Sequence, residues 1–178
     1  MGLLKRVIAA GFVAAASPAL AHVVLEQKSA EAGSYYKATF MVGHGCTGGS
    51  PTIAVTVKIP ADIIAVKPSP KPGWTIEVRR EPLDKPYETY GRKVTDRVSE
   101  VTWKAGKLDF DHYDEFVALL RLPDAPGKRY FAVRQQCESG AMDWAEIPEA
   151  GKTRRDYKAP AAELDVLPKK AAEEAHKH

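Results

Sequence analysis

The sequence contains few of the patterns that identify an enzyme. It has no Cys-x-x-Cys pair, no glycine-rich phosphate loop and no recognisable Ser-His-Asp arrangement. Hydrolytic and nucleotide chemistry therefore have no support. Aromatic residues make up only 8% of the chain and fall mostly in segments with a strand pattern, which argues against a flat aromatic substrate face. We expect a protein that is not an enzyme.

Long apolar runs are also missing, apart from a short one near the start of the chain. Lys5 and Arg6 precede an apolar run over residues 7–16, and an Ala-x-Ala site ends at Ala21. A charged region, a short apolar core and such a site are the three parts of a secretory signal. A membrane anchor would need an apolar span of about 20 residues. The sequence therefore predicts a cleaved signal peptide over residues 1–21 and no membrane insertion after cleavage.

Net charge is low once the leader is removed. Loss of Lys5 and Arg6 lowers the formal charge from +3 to about +1. Nucleic-acid binding normally requires a concentrated basic surface, so no nucleic-acid partner is expected. Removing 21 of the 178 residues leaves 157, enough for one domain with a substantial core.

Cleavage after Ala21 would make His22 the first residue of the mature chain. The α-amino nitrogen and the imidazole Nδ1 of an N-terminal histidine can close one chelate ring on a metal ion. Amine and imidazole suit Cu(II), which heads the affinity order of the divalent ions. The α-amino pKa of about 7.7–8.0 allows deprotonation for binding at modest cost near neutral pH. His22 is therefore a candidate Cu(II) ligand.

Two cysteines, Cys46 and Cys137, are the only ones in the chain. An even number of cysteines in an exported protein favours a disulfide. The alternative is that Cys46, in the sequence His44-Gly45-Cys46, is a soft thiolate ligand for Cu(I).

Alternation of apolar and polar residues predicts short strands along most of the chain. The predicted strands include residues 36–42, 53–59, 74–79, 99–103, 116–122 and 130–137, with the last at 142–145. Turn signals separate them, and no helical period appears before residue 148. The sequence therefore predicts an all-β fold, an antiparallel β-sandwich of about seven to eight strands.

The composition changes after residue 148. Residues 149–178 are rich in alanine, lysine, glutamate and proline. They contain too little apolar surface to fold alone, so we interpret them as a flexible charged tail. The domain is then expected to cover residues 22–148.

The ordered motifs resemble the YcnI-like family of exported copper-binding domains, in its Gram-negative form. The motifs that carry this resemblance are Ala21-His22-Val23, Gly33-Ser34-Tyr35, Val42-Gly43-His44-Gly45-Cys46, Ser50-Pro51-Thr52, Val57-Lys58-Ile59-Pro60, Lys71-Pro72-Gly73-Trp74, His112-Tyr113-Asp114-Glu115-Phe116, Leu122-Pro123, Gln136-Cys137-Glu138 and Trp144. The resemblance implies a cupredoxin-like or immunoglobulin-like β-sandwich that binds one Cu(II) through an N-terminal histidine. It also implies a periplasmic copper chaperone or carrier whose partner is a copper-accepting or copper-transport protein.

In this family, a carboxylate from the loop after the second strand and a tryptophan complete the copper site. By resemblance, His22 matches the N-terminal histidine and Trp144 matches the tryptophan, whose indole face attracts cations within about 6 Å. The corresponding loop of this chain has no acidic residue, so His44 is placed in the role of the carboxylate. Glu26 and His112 are the reserve candidates, whereas the remaining tryptophans, Trp74 and Trp103, fit a core.

Two other functions are compatible with the same residues. N-terminal histidines also occur in copper monooxygenases that act on polysaccharides, and His44 could supply the second imidazole of such a site. A metal-free exported interaction module, in which His22 has no metal-binding role, is the other alternative, since fold does not determine function.

Overall fold

The computed structural model describes residues 22–89 and 91–169. The predicted signal peptide and residues 170–178 of the predicted tail lie outside this part. Twelve strands, numbered in chain order, make up nearly all of its regular structure, as the sequence predicted for an all-β fold. They are β1 (Val24–Leu25), β2 (Ser29–Glu31), β3 (Tyr35–Val42), β4 (Thr52–Lys58), β5 (Ala65–Pro68), β6 (Thr75–Thr89), β7 (Arg92–Leu108), β8 (Asp114–Arg121), β9 (Gly127–Phe131), β10 (Val133–Cys137), β11 (Ala141–Trp144) and β12 (Ala162–Leu167). Two short 3₁₀ turns, Thr47–Gly49 and Arg154–Asp156, lie between them.

The strands form three sheets. One has the order β1-β3-β8-β5, a second has the order β11-β10-β4-β7-β6, and a small third has the order β2-β12-β9. Neighbouring strands are antiparallel except for β2 and β12, which are parallel. Buried side chains of all three sheets belong to one hydrophobic cluster, so the sheets share a single core. The predicted antiparallel β-sandwich is confirmed.

Aromatic contacts connect the sheets across this core. The ring of Phe116 on β8 lies edge-on to Trp103 of β7 and to Trp74, at centroid distances of 5.7 and 4.9 Å. Trp103 is fully buried, and Trp74 packs against the core from its edge. Trp103 therefore has the core position predicted for it, whereas Trp74 is only partly buried, at the edge of the core.

Residues 149–169 are not a flexible tail, so that interpretation was wrong for this segment. Strand β12 pairs antiparallel with β9 and parallel with β2. Ala162, Leu164 and Val166 are buried, because alternate side chains of a strand point to the same face. The charged residues between them hide this alternation when only composition is considered. The domain therefore extends beyond residue 148 and includes β12.

The strand count also exceeds the predicted seven to eight. Strands β2, β5 and β12 were not predicted, since each is short or lies in a proline-rich or charged stretch. The predicted strand over residues 130–137 is two strands, β9 and β10, which belong to different sheets. The chain changes sheet at Ala132, whose carbonyl accepts a hydrogen bond from the Lys58 amide at 2.9 Å.

Candidate metal centre

His22 lies two residues before the start of β1, with its side chain half-buried. Its imidazole packs edge-on against the indole of Trp144, with ring centroids 5.6 Å apart and an angle of 66° between the planes. Strand β1 holds this end of the chain in place by pairing with β3, so that Val24 lies opposite Met41. The structure thus brings together two of the three residues predicted to form the copper site.

Trp144 is the last residue of β11 and is 2% exposed. It lies opposite Val133 of β10, and its indole Nε1 donates a hydrogen bond to the Gln135 Oε1 at 3.1 Å. A buried indole N–H normally requires such a partner. The bond therefore fixes the orientation of the indole that His22 contacts.

Gln135 is the residue of this region that sequence reasoning missed. Its side chain is 1% exposed, and its Nε2 donates to the His44 carbonyl and to the Thr52 Oγ1, both at 2.8 Å. Together with the bond from Trp144, these contacts use both amide hydrogens and the amide oxygen. The available signal was a polar residue at an inward-facing position of β10, between the buried Val133 and Cys137. Such a residue requires buried hydrogen-bond partners.

His44 is tied to this network through its backbone rather than its ring. Its imidazole lies 5.4 Å from the Phe110 ring, and Nδ1 contacts the Gly45 carbonyl. The observed aromatic contacts join His22 to Trp144 and His44 to Phe110. Across residues 22–89 and 91–169, no three His, Cys, Asp or Glu side chains converge in a way that could hold a metal ion. A place for the His44 imidazole beside His22 stays a prediction.

The predicted disulfide between Cys46 and Cys137 is confirmed, with the two Cα atoms 6.1 Å apart. It excludes a free thiolate at Cys46 while the bridge is intact. Beside it, the Thr52 Oγ1 lies 3.7 Å from the Cys137 sulfur. Gly45 is required next to this bridge, because a Cβ at that position would lie 2.5 Å from the Ser50 carbonyl oxygen. The loop that carries His44 is therefore fastened to β10.

The two reserve ligands lie in exposed positions. Glu26 follows the end of β1, and its amide donates to the Thr39 carbonyl at 3.1 Å. His112 is exposed in the turn before β8, where its amide donates to the Asp109 carbonyl at 3.2 Å.

The two imidazole nitrogens of His22 would have different roles in a copper site. Nδ1 would close the chelate ring with the amine, and Nε2 would then carry the proton. Nε2 is buried and has no hydrogen-bond partner among the described residues. Trp144 provides an electron-rich wall beside the ring. The chemistry of the amine, the imidazole and the neighbouring indole therefore fits a Cu(II) ion bound at His22.

The sheet arrangement makes the protein a β-sandwich, and its similarity to a solved structure described below makes that sandwich immunoglobulin-like. The sequence matches the model of a domain of unknown function, DUF1775, over residues 22–166. The chain therefore belongs to this family, a domain that YcnI-like proteins carry. The match ends at residue 166, within β12, in agreement with the corrected domain boundary.

Comparison with solved structures supports the same fold. An uncharacterized protein from Nocardia farcinica with an immunoglobulin-like fold is 25% identical, with a TM-score of 0.62, over 82% of this chain and 97% of its own. The seventh ScaB type I cohesin from Pseudobacteroides cellulosolvens is 10% identical over 88% of this chain and 97% of its own, with a TM-score of 0.38. No curated protein gives a significant match. The described part of the chain forms no helix long and apolar enough to traverse a bilayer.

Replacing Gln135 tests the buried network. Gln135→Leu keeps the size of the side chain but leaves the Trp144 N–H, the Thr52 hydroxyl and the His44 carbonyl without this partner. We expect a loss of about 3 kcal/mol in the free energy of unfolding, because each unpaired buried group costs about 1–3 kcal/mol. Urea unfolding measures it. Gln136→Leu, next in sequence but less buried, is the control and is expected to cost about 1 kcal/mol or less. Equal losses of unfolding free energy in the two variants would show that the buried hydrogen bonds of Gln135 contribute no more to stability than those of Gln136.

Proposed function

We propose that the mature chain begins at His22 and is an exported Cu(II)-binding protein, a periplasmic chaperone or carrier without enzymatic activity. Copper is its cargo, which it receives and passes to a copper-accepting or copper-transport protein. The observation that carries this proposal is the position of His22, whose half-buried imidazole lies against Trp144 with ring centroids 5.6 Å apart. Membership of the DUF1775 family, which YcnI-like proteins share, supports it.

Two nitrogen donors come from His22 alone. Removal of the leader converts the amide nitrogen of His22 into a primary amine, which forms a chelate ring with the imidazole Nδ1. Both donors are neutral when they bind, so copper binding releases protons and strengthens as the pH rises through the α-amino pKa. The indole of Trp144 covers one side of the site and shields it from water.

His44 is the third donor in this proposal. Its carbonyl is bound by the same Gln135 amide that holds Trp144, so its loop is fixed relative to the indole. With an imidazole in place of a carboxylate, the site would have three nitrogen donors. This set is typical of Cu(II) sites, whereas carboxylates suit harder ions.

Electron paramagnetic resonance of the processed, copper-loaded protein tests the proposal. We expect one Cu(II) per chain with three coordinated nitrogens, and two nitrogens in His44→Ala. Equilibrium dialysis against Zn(II) is expected to leave most of the Cu(II) bound, as the affinity order of the divalent ions requires. Failure to retain Cu(II) in dialysis would favour a metal-free interaction module. Three nitrogens in both proteins would show that His44 is not a ligand.

A further inference from the structure

We propose that Arg154 is a positioning residue that holds the amino-terminal segment in the geometry required for copper binding. It belongs to the strap, which we define as residues 145–161, the connection between β11 and β12. This inference rests on the proposed function, and it concerns a residue that makes no contact with the metal. It follows from a hydrogen bond between the strap and the residue after His22.

The contact is direct. The Arg154 Nη2 donates a hydrogen bond to the Val23 carbonyl oxygen at 3.3 Å. Val23 is 1% exposed, so its side chain is also buried in the core. Because Val23 directly follows His22, holding the Val23 carbonyl limits the movement of the segment that carries the His22 amine and side chain. The amine and imidazole of a chelate must converge on one metal ion, so this restriction favours binding.

The strap presents Arg154 on a fixed turn. The Asp156 Oδ2 accepts hydrogen bonds from the Thr153 amide and hydroxyl at 2.7 and 2.9 Å, which caps the 3₁₀ turn Arg154–Asp156. The ends of the strap are closed by two further bonds, each 2.9 Å long. The Ala145 amide donates to the Ala159 carbonyl, and the Ala161 amide donates to the Glu146 carbonyl.

Apart from the hydrogen bond to Val23, the surroundings of the Arg154 guanidinium disfavour its positive charge. Arg154 is half-buried, and its Nε is buried without a hydrogen-bond partner among the residues described. Burial lowers the pKa of Arg154, and the negative charge of Glu163 partly opposes this effect. Placing a partly desolvated cation here therefore costs free energy.

The positive charge of Arg154 and its hydrogen bond to Val23 predict opposite changes in the affinity for Cu(II) when Arg154 is removed. A cation near His22 repels Cu(II), so charge alone predicts that removing Arg154 strengthens copper binding. A positioning role predicts the reverse, because the loss of the bond to Val23 loosens the chelating residue. The sign of the change in affinity therefore separates the two roles.

The test uses the processed protein beginning at His22, with Arg154→Met, which removes the charge, and Arg154→Lys, which keeps it. Arg155→Met is the matched control, since Arg155 is the exposed neighbour in the same turn. We expect both Arg154 variants to bind Cu(II) about tenfold more weakly in competition with a chelator, as the loss of a hydrogen bond to a charged group predicts. Hydrogen exchange of residues 23–25 in the copper-free protein is expected to rise by a similar factor. Arg155→Met should change neither quantity.

Several outcomes would overturn the inference. Tighter copper binding by Arg154→Met with unchanged binding by Arg154→Lys would assign a purely electrostatic effect. Unchanged exchange of residues 23–25 in both variants would show that Arg154 does not hold the segment, and if Arg154→Met does not fold, Arg154→Lys alone decides. A parent protein that binds no copper would refute the proposed function, whereas the exchange measurement would still test the hold of Arg154 on Val23.

Discussion

Extending the mature chain by one residue, so that Ala21 remains joined to His22, is expected to abolish tight Cu(II) binding. The extension converts the primary amine into an amide and leaves the imidazole, the indole of Trp144 and the fold unchanged. Loss of a supporting contact to a metal ligand already costs about 10–100-fold in affinity, so loss of a donor should cost about 100-fold or more. Competition with a chelator of known affinity measures the change.

His22→Ala is expected to weaken binding at least as much, because it removes the imidazole and leaves only the amine. His112→Ala is the matched control, since it deletes an exposed imidazole in the turn before β8. Its copper affinity should equal that of the parent. Unchanged affinity in the extended chain would show that the α-amino group is not a ligand. Mass spectrometry of the exported protein provides an independent check, since a mature form that begins at another residue would remove the amine from the site.

Replacing both cysteines with alanine is expected to produce the largest loss of stability. The bridge joins Cys46 to Cys137 across 91 residues of sequence. The chain-entropy model gives roughly 4–5 kcal/mol for a loop of that length, because the bridge restricts the unfolded chain. In a domain of this size, the loss corresponds to a fall of about 8–20 °C in the melting temperature. Thermal unfolding monitored by circular dichroism measures it.

Chemical reduction of the parent protein supplies the control for the cysteine replacement. The reduced parent should melt close to the temperature of the double alanine variant, since both lack the cross-link. A melting temperature unaffected by either treatment would show that the bridge does not restrict the unfolded chain. A large fall on replacement with none on reduction would assign the effect to lost packing of the side chains, which are 3% and 1% exposed in the folded protein.

Simple alternation was sufficient to predict the longer strands of the sandwich. Strand β4 is the clearest example, since Val55 and Val57 are fully buried, as their spacing requires. Strand β12 has the same alternation, but the surrounding alanine, lysine and glutamate residues resemble a solvated tail. Its burial depends on pairing with β2 and β9, which are distant in sequence, so local composition could not reveal it.

In the candidate site, too, some residues could be predicted from the sequence and others could not. His22 was predicted as a ligand from the chemistry of a processed amino terminus, and its contact with Trp144 agrees with the family resemblance. The roles of Gln135 and Arg154 depend on contacts across 91 and 131 positions of sequence, respectively. No spacing rule connects residues so far apart. Local pattern can therefore point to a candidate metal donor, whereas the residues that contact it emerge only from the folded chain.

The parallel pairing of β2 with β12 has a consequence for the order of events during biogenesis. Ser29–Glu31 cannot acquire its final neighbours until the ribosome has passed residue 167, and the Val23 carbonyl cannot do so until it has passed residue 154. In a polypeptide that crosses a membrane with its amino terminus leading, a leader peptidase would meet the bond before His22 while the flanking segment is still undocked. Cleavage would then precede the pairing of β12 with β2, and the new amine of His22 would reach its final position only as folding is completed.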